Sequence, residues 1–139
     1  MHEISSRLWI GNAMEAHDLR RLLDLGVEAL VDLAIEEPPV SLVRELVYCR
    51  FPLIDGASNP PARLRLAVET VAALIRQGTS TFVFCGAGMS RSPAIVAAAV
   101  AVVEGADPNA VLQRIVAGQP HDVSPVLWQD VTACLQGLA

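Results

Sequence analysis

Thr81-Phe82-Val83-Phe84-Cys85-Gly86-Ala87-Gly88-Met89-Ser90-Arg91-Ser92-Pro93 is the stretch from which the rest of the chain can be read. Its first five residues are β-branched and aromatic, the composition of a central strand. Pro93 predicts a helix opening at a position where the missing N–H is no loss, with the helix running over Ala94–Glu104. Between strand and helix lies a loop of small residues that builds an anion cradle. Glycines let the chain take positive φ and turn successive backbone N–H groups, here those of Gly86, Ala87, Gly88, Met89, Ser90 and Arg91, into one concavity. The helix N-terminus adds roughly half a positive charge at the same place. Arg91 adds a planar fork matched to two oxygens of a phosphate. The same field favours the thiolate form of Cys85, and a thiolate beneath a tetrahedral oxyanion site is placed for in-line attack on phosphorus.

An arginine six places after a cysteine is not rare by chance in a chain with ten arginines. Neither other cysteine has one: position 55 is aspartate, and Cys134 lies too near the end. The competing reading is a tight strand–helix turn with an inert buried cysteine. It weakens once both glycines, the flanking serines and the strand–loop–helix context are required together.

Outward from this loop, strands alternate with helices. Leu8-Trp9-Ile10 reads as a strand closed by Gly11-Asn12, Ala29–Leu33 as a buried strand, and Val47–Leu53 as another. A helical period covers about Ala16–Leu25, with Leu19, Leu22 and Leu23 on one face, and a short helix is expected over 41–46. Asp55-Gly56-Ala57-Ser58-Asn59-Pro60-Pro61 is the clearest loop, followed by a helix over Arg63–Gln77. Asp107-Pro108 and Ser124-Pro125 open two more helices, to about Ala117 and Leu135. The pattern predicts one α/β domain over residues 1–139. Its sheet should be central and mostly parallel, of about four or five strands flanked by helices, with a helical C-terminal third.

Composition narrows the partners. The chain has 139 residues, 10 arginines, no lysine, 15 acidic residues, a net charge of -5 and 53% hydrophobic residues. An apolar fraction this high excludes a disordered chain. An acidic chain without lysine is poorly suited to nucleic acid or to an anionic membrane surface. Its longest apolar run, Ala94–Val103, falls short of the about 20 residues a bilayer span requires. No signal peptide is visible at the N-terminus. Three cysteines, Cys49, Cys85 and Cys134, without a CxxC pair or metal-ligand spacing, point to free thiols rather than disulfides or zinc. These features lead to an expectation of a soluble, cytoplasmic domain with no cofactor and no metal.

The loop Cys85-Gly-Ala-Gly-Met-Ser-Arg91-Ser92 resembles the signature C-x-A-G-x-S-R-S of the cysteine-dependent dual-specificity protein phosphatases, within the protein-tyrosine-phosphatase superfamily. Leu8-Trp9-Ile10-Gly11-Asn12 is similar to that family's opening strand, and Phe51-Pro52-Leu53-Ile54-Asp55 resembles the segment bearing its general acid. The resemblance covers roughly residues 7 to 104. It implies a protein-tyrosine-phosphatase-like fold and metal-independent hydrolysis of a phosphorylated protein or peptide. It also implies roles: Cys85 as nucleophile forming a phosphocysteine, and Arg91 with the N–H groups of residues 86 to 91 as oxyanion ligands. Ser92 would donate to the cysteine sulfur, and Asp55 would serve as acid and then base. The chain departs from the family at Phe84, where histidine is usual, and around Ser124-Pro125-Val126-Leu127-Trp128.

Two other function classes remain open. One is a phosphatase-like module that holds phosphate without turning it over. The other is a rhodanese-type sulfurtransferase or an arsenate reductase. Against the last two, the loop follows 84 residues and carries a serine after its arginine. Cys49 and Cys134 read as core residues. Asp32 and Glu36 read as turn or solvated residues near a strand end, and His2, His17 and His121 as surface. Met89 is apolar where a cradle for inositol phosphates would be expected to offer lysine, which favours a substrate with one phosphate to recognise.

Overall fold

The computed structural model describes residues 1–41 and 45–138. Among these residues five strands, β1 (His2–Ser5), β2 (Leu8–Asn12), β3 (Ala29–Ala34), β4 (Val47–Leu53) and β5 (Thr81–Cys85), form one sheet in the order β1-β2-β5-β3-β4. All neighbouring pairs are parallel except β1 with β2. This is the mostly parallel sheet that the sequence predicts. The added strand, β1, is a half-exposed edge with Ile4 as its one aliphatic side chain, too little apolar pattern to read in advance.

Among the described residues, six helices cover the sheet: α1 (Ala13–Ala16), α2 (Leu19–Asp24), α3 (Pro61–Arg76), α4 (Arg91–Glu104), α5 (Pro108–Val116) and α6 (Pro125–Ala133). The two-residue period of β5 divides them. Val83 and Cys85 face α3 to α6, and Phe82 and Phe84 face the smaller cluster with Leu22, Val27 and Leu46. Phe84, the residue before the loop, stacks on Phe82 with ring centroids 5.8 Å apart, on the sheet face opposite Cys85.

Three expectations need correcting. The helix expected over Ala16–Leu25 is the shorter α2, and a separate turn of helix, α1, precedes it. The Asn12 side chain accepts from the Glu15 N–H while Glu15 accepts from the Asn12 N–H, and Asp18 then accepts from the Arg21 N–H and starts α2. Leu22 is buried, whereas Leu23, expected beside it, is exposed. Helix α4 begins at Arg91, so Pro93 is its third residue rather than its first. N–H groups of the first turn have no intrahelical partner, and proline costs nothing there. The short helix expected over 41–46 lies largely outside the described residues.

Every residue of α4 from Arg91 to Ala101 is buried. Alanines at 94, 97, 98, 99 and 101 let β5, α3, α5 and α6 close on it from several sides. A helix wrapped this completely fixes the position of its first turn, and with it the loop that joins it to β5. Enlarging a wrapped position overfills the core. Ala98→Leu should lower the unfolding free energy by about 1–3 kcal/mol, read as a lower urea midpoint with an unchanged slope.

Candidate active site

The loop leaves β5 at Cys85, whose side chain is buried beneath it. Ser92, in the first turn of α4, donates its hydroxyl to the Cys85 sulfur at 2.9 Å. Gly88 takes φ +77, and a Cβ there would lie 2.8 Å from the backbone of Gly11 at the end of β2. The loop can therefore press against β2 only with glycine at this position. The Gly86 carbonyl accepts from the Ala13 N–H at 3.2 Å, and the Met89 carbonyl from the Asp122 N–H at 2.9 Å. Both loop edges are thus tied to neighbouring segments.

Ser90 precedes α4, where its hydroxyl would ordinarily cap the helix. It makes no cap bond. It donates instead to Asp55 Oδ1 at 2.6 Å and accepts from the Ser124 N–H at 2.9 Å. The first N–H groups of α4 thus lack this serine as a cap, at the positive end of the helix.

Asp55 is brought to the loop from the segment after β4. Asn59, buried and 4 residues further on, braces that segment. Its Oδ1 accepts from the Ile54 N–H at 2.7 Å, and its Nδ2 donates to the carbonyls of Ile54 at 2.8 Å and Gly56 at 3.2 Å. This clamp ties the loop back on itself. Asn59 carried no signal beyond turn propensity.

Arg91 is buried, and its guanidinium is held by groups that are remote in sequence. Nη1 donates to Glu36 Oε1 at 2.6 Å and to the Leu53 carbonyl at 2.9 Å, and Nη2 donates to Glu36 Oε2 at 2.6 Å. Glu36 lies in a turn just past β3 with half of its side chain exposed, as its Glu-Glu-Pro-Pro context suggests, and its carboxylate still reaches Arg91. Hydrogen bonds from Arg91 hold its carboxyl below the ordinary glutamate range, while Glu36 raises the guanidinium pKa in return. Asp32, by contrast, is buried, accepting from the Tyr48 hydroxyl at 2.5 Å and the Ala34 N–H at 3.0 Å. With Asp32 as partner and burial as the larger cause, the Tyr48 phenol is pushed above its usual value.

Asp55, Cys85, Ala87, Met89, Ser90, Arg91 and Asp122 line one cavity of about 80 Å³. Drug-sized ligands fill about 300–1,000 Å³, so this space suits a single small anionic group. A larger cavity of about 210 Å³ lies on the outer side of residues 87–89, between β2 and the end of α5, and touches neither Cys85 nor Arg91. Cys49 and Cys134 are half-buried rather than core residues, and burial pushes both thiols up. Among the described residues, no three His, Cys, Asp or Glu side chains gather as metal ligands, and no helix is long and apolar enough to cross a membrane.

No protein-family model matches the chain. Human dual specificity protein phosphatase 15 is 31% identical to it over 114 residues, which is 81% of this chain and 38% of that protein. The crystal structure of DUSP15 matches with a TM-score of 0.83 at 25% identity, over 99% of this chain and 88% of that one. Human DUSP28 gives a TM-score of 0.85 at 22% identity, over 99% and 97% of the two chains. The chain spans about half or less of the length of the curated relatives it matches. In sequence and in fold it is similar to the dual-specificity protein phosphatases.

Two outcomes follow from the site's geometry. Asn59→Ala removes three bonds and leaves the Ile54 amide without its partner. This should lower stability by about 1–3 kcal/mol and speed hydrogen exchange at Ile54. Glu36 has a depressed folded pKa, so its contribution is complete above the ordinary glutamate value and lost as pH falls through the folded one. The stability difference between wild type and Glu36→Gln, measured by urea titration, should be constant near neutrality and shrink only in acid.

Proposed function

We propose that this chain hydrolyses phosphomonoesters of proteins or peptides, phosphotyrosine and also phosphoserine or phosphothreonine, through a phosphocysteine and without a metal ion. The supporting observation is the convergence of Cys85, Arg91 and Asp55 on one small cavity at an uncapped helix N-terminus, with the buried Ser92 hydroxyl on the Cys85 sulfur. In the first step the Cys85 thiolate attacks phosphorus and the P–O ester bond breaks. Asp55, in its acid form, gives its proton to the leaving oxygen. Its Oδ1 is engaged by Ser90, so Oδ2 is the oxygen that carries this proton. Arg91 and the loop N–H groups take the charge that builds on the equatorial oxygens.

In the second step water attacks the phosphocysteine and the P–S bond breaks. Asp55, now a carboxylate, takes the water proton, and inorganic phosphate leaves. The electron pair returns to sulfur, where the Ser92 hydroxyl at 2.9 Å stabilises the departing thiolate. A working Cys85 must remain a thiol. A reducing, cytoplasmic setting therefore belongs to the proposal, and all three cysteines are free.

The rim argues for one phosphate at a time. Met89 is apolar and partly exposed, and the carboxylates of Asp55 and Asp122 line the cavity. No lysine anywhere in the chain is available for a second phosphate. A phosphate-binding module without turnover is the weaker reading, because Asp55 stands tethered beside the cysteine where binding alone gives it no task.

Hydrolysis of p-nitrophenyl phosphate and of a phosphotyrosine peptide in excess EDTA tests this. Cys85→Ser should abolish both reactions. Asp55→Asn should slow the peptide by about 10²–10⁴-fold and the activated ester much less, since nitrophenolate leaves without a proton. Activity that survives Cys85→Ser or depends on a divalent ion would sink the mechanism, and equal losses on both substrates would remove Asp55 from the acid role.

A further inference from the structure

The two cavities beside the loop share a wall. Ala87 and Met89 line both the inner one of about 80 Å³, which holds Cys85, and the outer one of about 210 Å³. A peptide whose phosphorylated side chain enters the inner cavity therefore passes the outer one within a few residues. The outer cavity has apolar walls, built from Met89 and from the buried Ile10, Pro93, Ile115 and Val116. Polar side chains around these walls are already engaged. Glu15 accepts from the Asn12 N–H at 3.0 Å and pairs with the Met1 ammonium, and the Asn12 side chain accepts from the Glu15 N–H at 2.9 Å. His2 donates from Nε2 to the Ile115 carbonyl and His121 from Nδ1 to the Gln119 carbonyl, each at 3.0 Å. A charged ligand would have to break these bonds to make its own. An aliphatic group gains by leaving water and disturbs none of them.

We propose that the outer cavity is a subsite for an aliphatic side chain of the substrate peptide, on a residue within about three positions of the phosphoresidue. The proposal rests on the reading of the inner cavity as a phosphate site, with which the subsite is continuous through Ala87 and Met89.

Exposed apolar side chains around the loop point to the same occupant. Met14, 83% exposed, follows Ala13, whose N–H bonds to the Gly86 carbonyl. Ile54, also exposed, precedes Asp55, which bonds to Ser90. Val126 is exposed two residues after Ser124, whose N–H bonds to the same serine. With Met89 they make the surroundings of the loop aliphatic. The charges there select in the same sense, because Asp55 and Asp122 place two carboxylates in the inner lining. Acidic residues beside the phosphoresidue are repelled by them, and uncharged ones are not.

The reference substrate is a phosphotyrosine peptide with alanine on both sides, and leucine is placed in turn at each neighbouring position. Leucine at one of them should raise kcat/KM about tenfold, and aspartate there should lower it below the alanine peptide. Gln119→Trp fills the cavity from an exposed position, and Val116→Thr keeps the shape of the wall while adding a hydroxyl. Both variants should remove most of the leucine advantage and leave hydrolysis of p-nitrophenyl phosphate, which does not reach the cavity, unchanged. Thermal unfolding shows whether each is folded, and Gln119→Trp carries the test if Val116→Thr is not. Three results would overturn the proposal: no leucine advantage at any position, an equal advantage for lysine, which would place recognition on Glu15, or an advantage that survives Gln119→Trp. Calorimetric titration of the same peptides into Cys85→Ser separates the subsite from the chemistry. Tighter binding of the leucine peptide there, with wild type inert on every ester, would refute the proposed hydrolysis and leave the subsite standing, whereas equal affinities would overturn the subsite.

Discussion

Arg91 carries its charge in a place where water cannot reach it, and the ends of two strands are arranged to answer that charge. The Leu53 carbonyl closes β4 on the guanidinium, and Glu36 returns to it from just beyond β3. The loop after β5 supplies Arg91 itself. Three strand ends that neighbour one another in the sheet are thus joined through one side chain at their C-terminal edge. An ion pair of this kind contributes little net stability over an apolar replacement, because Arg91 loses its hydration while Glu36 keeps about half of its side chain in solvent. What it supplies is a defined orientation, in which two donors are aligned and unused.

A similar economy runs through Ser90. A helix that starts in the protein interior needs acceptors for its first N–H groups, and a serine at the N-cap is the usual answer. Here the hydroxyl is drawn away to Asp55 and the Ser124 N–H. Four segments, the strand β5, the helix α4, the acid loop and the approach to α6, meet at this serine. The helix gives up a cap bond of about 1 kcal/mol, and its open end can complete its hydrogen bonding with an anion. The buried alanine-rich body of α4 holds that end still, since no shift of the helix is possible without opening the core.

The alternation of strands and helices was legible because buried parallel strands are written as short apolar runs between turn residues. Val47–Leu53 and Thr81–Cys85 fall where their composition puts them. The edge strand β1 was not legible, since one aliphatic residue in four carries no period. The cysteine, the arginine and both serines of the loop are local in sequence and could be read together. Glu36 and Asn59 could not. Glu36 meets Arg91 across 55 residues, and only the pairing of β3 with β4 and β5 makes them neighbours. Its sequence context, two acids before two prolines, is that of a solvated turn. Asn59 sits in a run of turn formers and differs from them only in having its side chain folded inward.

Net charge and site pull in opposite directions, and the distances decide which prevails where. At physiological salt the Debye length is about 8 Å, so the overall charge of -5 acts on an approaching phosphate only weakly and only outside the cavity. Inside it, no screening ions intervene between an anion and the loop. There the open N–H groups, the helix end and the free edge of Arg91 act at hydrogen-bonding distance. Glu36, half exposed at the back of the Arg91 guanidinium, adds a negative charge beside the cavity, which at first sight works against anion binding. Its two bonds to Arg91 partly neutralise the guanidinium, yet they leave its Nε without a partner. A bare arginine in the same cavity would offer more charge without a preferred direction.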